Sequence, residues 1–172
     1  MIFTAYADGR LRLGSRWVNC ALGSGGVAPA NAKTEGDGVT PAGLWPLRRV
    51  LWRADREPAP ATRLPVAAIQ PTDGWCDAPG DPAYNRLVRL PYAASAEALW
   101  RDDEVYDVIV VLGYNDAPVR DGAGSAVFLH VARPGYAPTA GCVALSAPDL
   151  AELLRAAGPG DCLEVRPEES GG

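Results

Sequence analysis

The sequence predicts a mostly β protein, either a β-sandwich or a partly closed barrel, with two short helices. Its 172 residues include 19 glycines and 16 prolines, a composition typical of many turns between short strands and not of a helical bundle. About eight segments have the periodicity of strands, and only two have the start signals of helices. We expect one domain over residues 1–167, because this length can bury a full core, followed by a disordered tail at residues 168–172.

The charge balance argues against two classes of partner. The formal net charge is -5, and no basic run occurs in the sequence. Nucleic acids and anionic membrane surfaces both require clustered cations, so we expect neither as a partner, and no apolar run is long enough to predict a membrane span. The cysteines have no metal-ligand spacing, so the sequence predicts no metal and no cofactor.

The chain begins with a predicted β-hairpin. Ile2–Ala7 and Arg10–Leu13 have strand character and are joined by Asp8-Gly9, a tight-turn signal; Ser15–Leu22 follows as a third strand. The first residues have neither the basic region nor the long apolar run of a secretory signal. This favours a cytoplasmic protein with reduced cysteines, whereas a removed export signal would make the location periplasmic.

Two long irregular stretches occupy the middle of the chain. Gly23–Pro41 is either a solvated connection or one wall of a substrate cleft, and Leu44–Arg53 follows it as a strand. Glu57–Asn85 is rich in proline and aspartate, which is typical of a lid or another functional loop, and Cys76 could be exposed within it. Residues that either face substrate at the tip of this loop or simply pack are Trp75, Tyr84, Asn85 and Arg86.

Three regular elements are expected in the second half of the chain, outside the segment that carries the chemistry. Ser95–Arg101 is predicted to be a short helix capped by its serine. Val105–Tyr114 is a continuous apolar run and therefore a buried strand. Asp161–Arg166 is the last strand.

The segment from Ser125 to Leu150 organises the chemistry. Its first part, Ser125–Ala132, alternates so that Phe128, His130 and Ala132 share one face of a strand. Arg133–Ala140 contains two prolines and is a loop, after which Gly141 permits a tight turn. A second helix is predicted to begin at Ser146, with a proline in its first turn and an acidic residue three positions after the cap.

His130 is the only histidine, and Cys142 lies twelve residues after it. A cysteine becomes a good nucleophile when an imidazole takes its proton. The backbone N–H groups of Ala140, Gly141 and Cys142 could then stabilise an oxyanion. On these two residues alone, a hydrogen-bonded structural histidine and a core thiol are the more common interpretation.

The same residues resemble the signature of the L,D-transpeptidase (YkuD-type) catalytic domain. That signature is a histidine at a strand end, a variable loop, Ser/Thr-His-Gly-Cys-Ile/Val-Arg and then an Asp-Leu helix; here it reads His130, a loop, Thr139-Ala140-Gly141-Cys142-Val143-Ala144 and Asp149-Leu150. Upstream, Thr40-Pro41-Ala42-Gly43 resembles the Thr-Pro-x-Gly segment of the family. The resemblance covers about residues 1–167 and implies the β-rich fold of this family.

Two positions depart from the signature. Ala140 replaces the histidine that commonly precedes Gly-Cys, and Ala144 replaces the arginine two residues after the cysteine. Arg133 is the best substitute for the missing cation, and Arg120 is a weaker one. We therefore expect substrate affinity or specificity to differ from that of common members.

The resemblance implies cysteine-dependent acyl transfer on peptidoglycan stem tetrapeptides, at the bond between the L-centre of diaminopimelate (or lysine) and D-Ala. It makes Cys142 the nucleophile and His130 the general base, with a backbone carbonyl orienting the imidazole. Arg133, Tyr114 and Thr139 are the expected substrate-binding residues. The expected partners are stem peptides or soluble muropeptides, with carbapenems as covalent inhibitors.

Three activities remain open, together with a binding role. Water as acceptor makes the protein an L,D-carboxypeptidase of muropeptide recycling, which the cytoplasmic interpretation favours. An amine acceptor makes it a transpeptidase that crosslinks the wall in the periplasm. Ala140 and Ala144 could instead mark an inactive module that only binds wall peptides, and a general cysteine amidase would show no preference for the D-residue.

Overall fold

The computed structural model describes residues 1–168, which form thirteen short or medium strands and one α-helix. The first seven strands are β1 (Ile2–Tyr6), β2 (Arg10–Leu13), β3 (Arg16–Ala21), β4 (Val27–Pro29), β5 (Thr40–Trp52), β6 (Val66–Ala68) and β7 (Asp73–Cys76). The others are β8 (Leu87–Arg89), β9 (Ala96–Ala98), β10 (Val108–Leu112), β11 (Phe128–Val131), β12 (Val143–Leu145) and β13 (Cys162–Arg166). Helix α1 is Ala147–Ala156, and 3-10 turns occupy Ala30–Ala32 and Pro134–Tyr136.

One large sheet closes on itself through the long strand β5. Its order is β10-β11-β12-β3-β2-β1-β13-β5-β4, and β5 also pairs with β10 at the other end of this path. The first part of β5 pairs with β13, and its second part, Leu47–Trp52, pairs with β10. The mostly β fold class is therefore confirmed, and the closure is that of a barrel.

A small second sheet, β8-β7-β9, packs outside the barrel. The main core fills the barrel and includes Phe3, Leu11, Val110 and Leu129. A second apolar cluster lies between the barrel wall and the small sheet, and it contains Trp75, Leu99, Tyr106, Ile109, Phe128 and Cys142. The outer face of β11 is therefore covered by the small sheet and its connections and is not exposed to solvent.

The strand predictions hold for the hairpin, the third strand, β5, β10, β11 and β13, within a few residues at the ends. The helix predicted at Ser95–Arg101 is wrong, because Ala96–Ala98 forms β9 and pairs with β7, Glu97 opposite Trp75. A helix of this length has little stability of its own, so cross-strand pairing decides the conformation.

The interpretation of Glu57–Asn85 as an exposed lid fails for most of its proposed tip. Trp75, Tyr84 and Asn85 are buried, whereas Arg86 is exposed. Cys76 lies in β7 and is also buried, so the expectation of an exposed loop cysteine is wrong. These residues pack because β7 is the central strand of the small sheet.

Helix α1 begins as the sequence predicts. The hydroxyl of Ser146 accepts a hydrogen bond from the Asp149 backbone N–H, and Leu150, Leu153 and Leu154 form the buried face. None of the helices in residues 1–168 has the length and apolar character needed to cross a bilayer. Of the predicted tail, Glu168 accepts a hydrogen bond from the Ala7 backbone N–H, and residues 169–172 lie outside the described part.

Candidate active site

His130 occupies the outer face of β11. The strand is held by β10 on one side, with Ile109 opposite His130, and by β12 on the other. The imidazole is 4% exposed, and its Nδ1 lies 2.8 Å from the Val131 carbonyl oxygen. A carbonyl can only accept, so Nδ1 carries the proton and Nε2 is left as the proton acceptor. The prediction of a backbone carbonyl as orienting group is confirmed.

Cys142 lies at the turn immediately before β12. Its Sγ accepts a hydrogen bond from the Phe128 backbone N–H at 3.3 Å and donates one to the Ala126 carbonyl oxygen at 3.1 Å. Burial raises the pKa of the thiol to about 12, whereas burial lowers the pKa of His130 to about 4. At neutral pH the two groups are therefore a neutral thiol and a neutral imidazole, not an ion pair.

The two groups share one cavity. Strands β11 and β12 are parallel, with His130 opposite Ala144, so Cys142 stands level with Phe128, two residues or roughly 7 Å along the strand from His130. No hydrogen bond joins Sγ to the imidazole among the described residues, because the thiol proton is directed to Ala126. Proton transfer thus requires the thiol to turn from this carbonyl toward the cavity that His130 also lines.

The turn before the cysteine is shaped by Thr139 and Gly141. Gly141 has φ +134°, and a Cβ there would come within 2.9 Å of the Val39 carbonyl oxygen, so only glycine fits. The Thr139 hydroxyl accepts from the Gly141 N–H at 3.1 Å and donates to the Cys142 carbonyl at 2.7 Å. The prediction for the Gly141 amide is thereby corrected, because this amide is engaged by Thr139. Thr139 supports the turn and also lines the cavity, and its role in substrate binding stays a prediction. The oxyanion role of the Ala140 and Cys142 amides stays a prediction.

The upstream Thr-Pro segment supports the same turn from behind. Thr40 is fully buried, and its hydroxyl accepts a hydrogen bond from the Gly23 N–H at 2.8 Å. Backbone bonds then connect Ser24 and Leu22 to Thr139. The two sequence segments that carry the family resemblance are therefore close in space. The Thr-Pro segment helps to fix the position of the turn that contains Cys142.

The cavity around Cys142 has a volume of about 350 Å³ and a lining of both charge signs. Its charged residues are Lys33, Glu35, Asp77, Glu97, Arg101 and Arg133. Arg133 is exposed at the mouth, where it can reach a ligand. The alternative interpretation of Gly23–Pro41 as a cleft wall is supported, because Lys33, Glu35 and Gly36 line the cavity.

Tyr114 is not part of this cavity, which corrects its prediction as a substrate-binding residue. It is 3% exposed, its hydroxyl donates to the Ala123 carbonyl, and its ring packs edge-on against Trp45 at 5.0 Å. The end of β10 directs the ring into the barrel core. Arg120 is exposed and likewise lies outside the lining of the cavity.

Sequence reasoning missed several residues of the lining. The most important are Tyr106, whose ring lies 5.4 Å from the His130 ring, and Glu97, which accepts a hydrogen bond from the Tyr106 hydroxyl at 2.6 Å. The sequence does not indicate a role for Glu97, because it predicts a helix for this segment and the structure has the strand β9 there. Lys33 is also a missed residue, because only the packing of its loop brings it to the cavity.

The neutral state of His130 predicts a specific loss of stability in acid. Between pH 6.5 and about 4 the unfolded chain binds a proton at this histidine and the folded protein does not, so the free energy of unfolding falls as pH falls. At about 1.4 kcal/mol per pH unit, the loss over this interval is on the order of 3 kcal/mol. Urea unfolding of wild type and His130→Gln between pH 7 and 4 measures it: the wild type should lose more stability by this amount. An equal loss in both proteins would contradict the buried neutral state.

Comparison with known proteins gives one clear result. The family model described as the L,D-transpeptidase catalytic domain (YkuD) matches residues 1–165. No curated protein and no solved structure matches the chain. The match contains β11, the Gly141-Cys142 turn and the Thr-Pro segment, the three features that form the site. The chain therefore belongs to the YkuD family of L,D-transpeptidase catalytic domains, which are cysteine-dependent enzymes that process peptidoglycan.

Proposed function

We propose that the protein is an L,D-carboxypeptidase that removes the terminal D-Ala from peptidoglycan stem tetrapeptides. The observation that carries this proposal is the small cavity that Cys142 and His130 both line. Its volume of about 350 Å³ is at the low end for ligand sites. It suits the end of one stem peptide, and water as acceptor needs no second peptide site.

Acylation follows from the arrangement of the two neutral groups. As Cys142 Sγ attacks the carbonyl carbon of the L-centre, Nε2 of His130 takes the thiol proton. The C–N bond to D-Ala then breaks, and the imidazolium returns the proton to the leaving amine. The amides of Ala140 and Cys142 donate to the tetrahedral oxyanion. The product of this step is a thioacyl-enzyme and free D-Ala.

Deacylation uses the same imidazole. His130, neutral again, takes a proton from water as the water oxygen attacks the thioester, and the C–S bond breaks to give the tripeptide and the thiol. The exposed Arg133 at the mouth of the cavity is the group we assign to a substrate carboxylate.

All four cysteines are free in the described residues, which suits a reducing compartment. We therefore propose that the enzyme acts in the cytoplasm on soluble muropeptides.

Product masses test this assignment. Incubation with a disaccharide-tetrapeptide that ends in D-Ala should give the tripeptide, because water deacylates the enzyme, and the matched peptide ending in L-Ala should remain intact. A crosslinked dimer, or exchange of D-Ala for an added D-amino acid, would assign a transpeptidase instead. Equal cleavage of the L-Ala peptide would indicate a general amidase, and the absence of any product would leave only peptide binding.

A further inference from the structure

The loop behind the active turn carries a buried cation. Lys33 follows the first 3-10 turn, and its side chain is only 4% exposed. Its Nζ lies 3.5 Å from the position that a Cβ of Gly141 would take, and Lys33 lines the same cavity as Cys142. The ammonium group therefore stands beside the turn that delivers the sulfur.

The side chain has little freedom to leave this position. A Cβ added to Gly124 would come within 2.7 Å of Lys33 Cε, so the chain packs tightly there. On the other side, Lys33 Nζ donates to Asp37 Oδ1 at 2.7 Å. The two contacts hold the ammonium group next to Gly141.

Asp37 compensates this charge only in part. Its carboxylate also accepts hydrogen bonds from the backbone N–H groups of Thr34 and Val39, at 2.8 and 2.9 Å. Its side chain is 21% exposed, whereas that of Lys33 is 4% exposed. Because water screens the carboxylate better than the ammonium group, Asp37 does not fully cancel the charge of Lys33 at the turn.

We propose that Lys33 supplies the positive charge that stabilises negative charge at Cys142, first on the thiolate and then on the oxyanion of the acyl carbonyl. The second part rests on the proposed function, and the first does not. Two features of the site favour this role. Ala144 stands where the family signature has an arginine, and the Gly141 amide already donates a hydrogen bond to Thr139. Burial raises the pKa of Cys142 most, the Phe128 N–H lowers it, Glu97 raises it, and the Lys33 charge has the smallest effect of the four and lowers it.

Other groups around the sulfur set the background against which Lys33 acts. Glu97 opposes it by raising the pKa of Cys142. The remaining titratable or charged groups of the cavity are Glu35, Asp77, Arg101, Tyr106, His130 and Arg133. These side chains are the same in the wild type and in a Lys33 variant, whereas Asp37 loses its ion-pair partner, so a second variant at Asp37 is needed.

Alkylation of the thiol by iodoacetamide measures this effect without any peptide substrate. The rate at Cys142 is followed by peptide mass spectrometry at pH 8 in the full chain, with the partly exposed Cys162 as an internal reference. Lys33→Met should lower the ratio of the Cys142 rate to the Cys162 rate by roughly threefold, the effect of half a pH unit on the thiolate fraction. Asp37→Asn should raise the ratio, because it removes the compensating anion and keeps the cation.

The opposite signs separate an electrostatic role from a structural one. If the ion pair only holds the loop, both variants should change the ratio in the same direction or leave it unchanged, and either result would overturn the proposal. If Lys33→Met does not fold, as near-ultraviolet circular dichroism would show, Lys33→Gln takes its place, and the same opposite signs relative to Asp37→Asn are required. A normal alkylation response with no tripeptide product would refute the carboxypeptidase assignment while leaving the role of Lys33 at the thiolate intact.

Discussion

Replacing Cys142 by serine is expected to abolish turnover, with a loss of at least about a thousandfold. Serine can keep both hydrogen bonds of the sulfur, to the Phe128 N–H and the Ala126 carbonyl, so the fold should remain. Its hydroxyl is a much weaker nucleophile beside a neutral imidazole. The measurement is tripeptide formation by mass spectrometry, together with the mass of the protein after exposure to a carbapenem.

Wild-type protein should gain the mass of the carbapenem, and Cys142→Ser should not. Cys162→Ser is the matched control, because Cys162 lies in β13 on the far side of the large sheet and outside the cavity. It should keep both turnover and the adduct. Retention of the adduct in Cys142→Ser would place the nucleophile elsewhere, and a wild-type protein without adduct or product would favour the inactive binding module.

The second large effect is expected at His130. The His130→Gln variant should lower the rate of acylation by roughly 10²–10⁴-fold, the usual contribution of a general base. The buried glutamine can still donate to the Val131 carbonyl, which the imidazole now bonds at 2.8 Å, but it accepts no proton. Because the thiol has a pKa raised to about 12, little thiolate forms without a base near neutral pH.

The pH dependence separates base catalysis from packing. Wild-type activity should persist well below pH 6.5 and decline toward pH 4, where His130 becomes protonated. In His130→Gln the residual activity should rise with pH, following the thiolate. An unchanged rate in the variant, or a wild-type acid limb near pH 6.5, would contradict the role of a buried neutral imidazole.

The sequence was a good guide where the chemistry depends on local backbone structure. Alternation placed Phe128 and His130 on one face of the strand, and the structure confirms it, with Leu129 and Val131 on the opposite face in the barrel core. The glycine before the cysteine was correctly assigned to a tight turn. Strand alternation and turn geometry are properties of neighbouring residues, so they can be recognised in the sequence.

The wrong predictions concern residues whose conformation or burial depends on a contact with a residue distant in the sequence. Tyr114 enters the core because Trp45 of β5 packs against it, and Glu97 belongs to a strand because β7 pairs with β9. Cys76 is buried for the same reason. No local pattern distinguishes a strand of three residues from a short capped helix when a second sheet supplies the hydrogen bonds.

The sequence by itself determined the β-rich fold and the family, and it singled out Cys142 and His130 as the candidate reactive pair, because these depend on local patterns and on a motif with fixed spacing. Only the tertiary structure decided the protonation states of Cys142 and His130, since burial sets the cost of charging them. It also decided which cation stands at the turn: Lys33 precedes Cys142 by more than a hundred residues, and only the packing of its loop brings the two into one cavity.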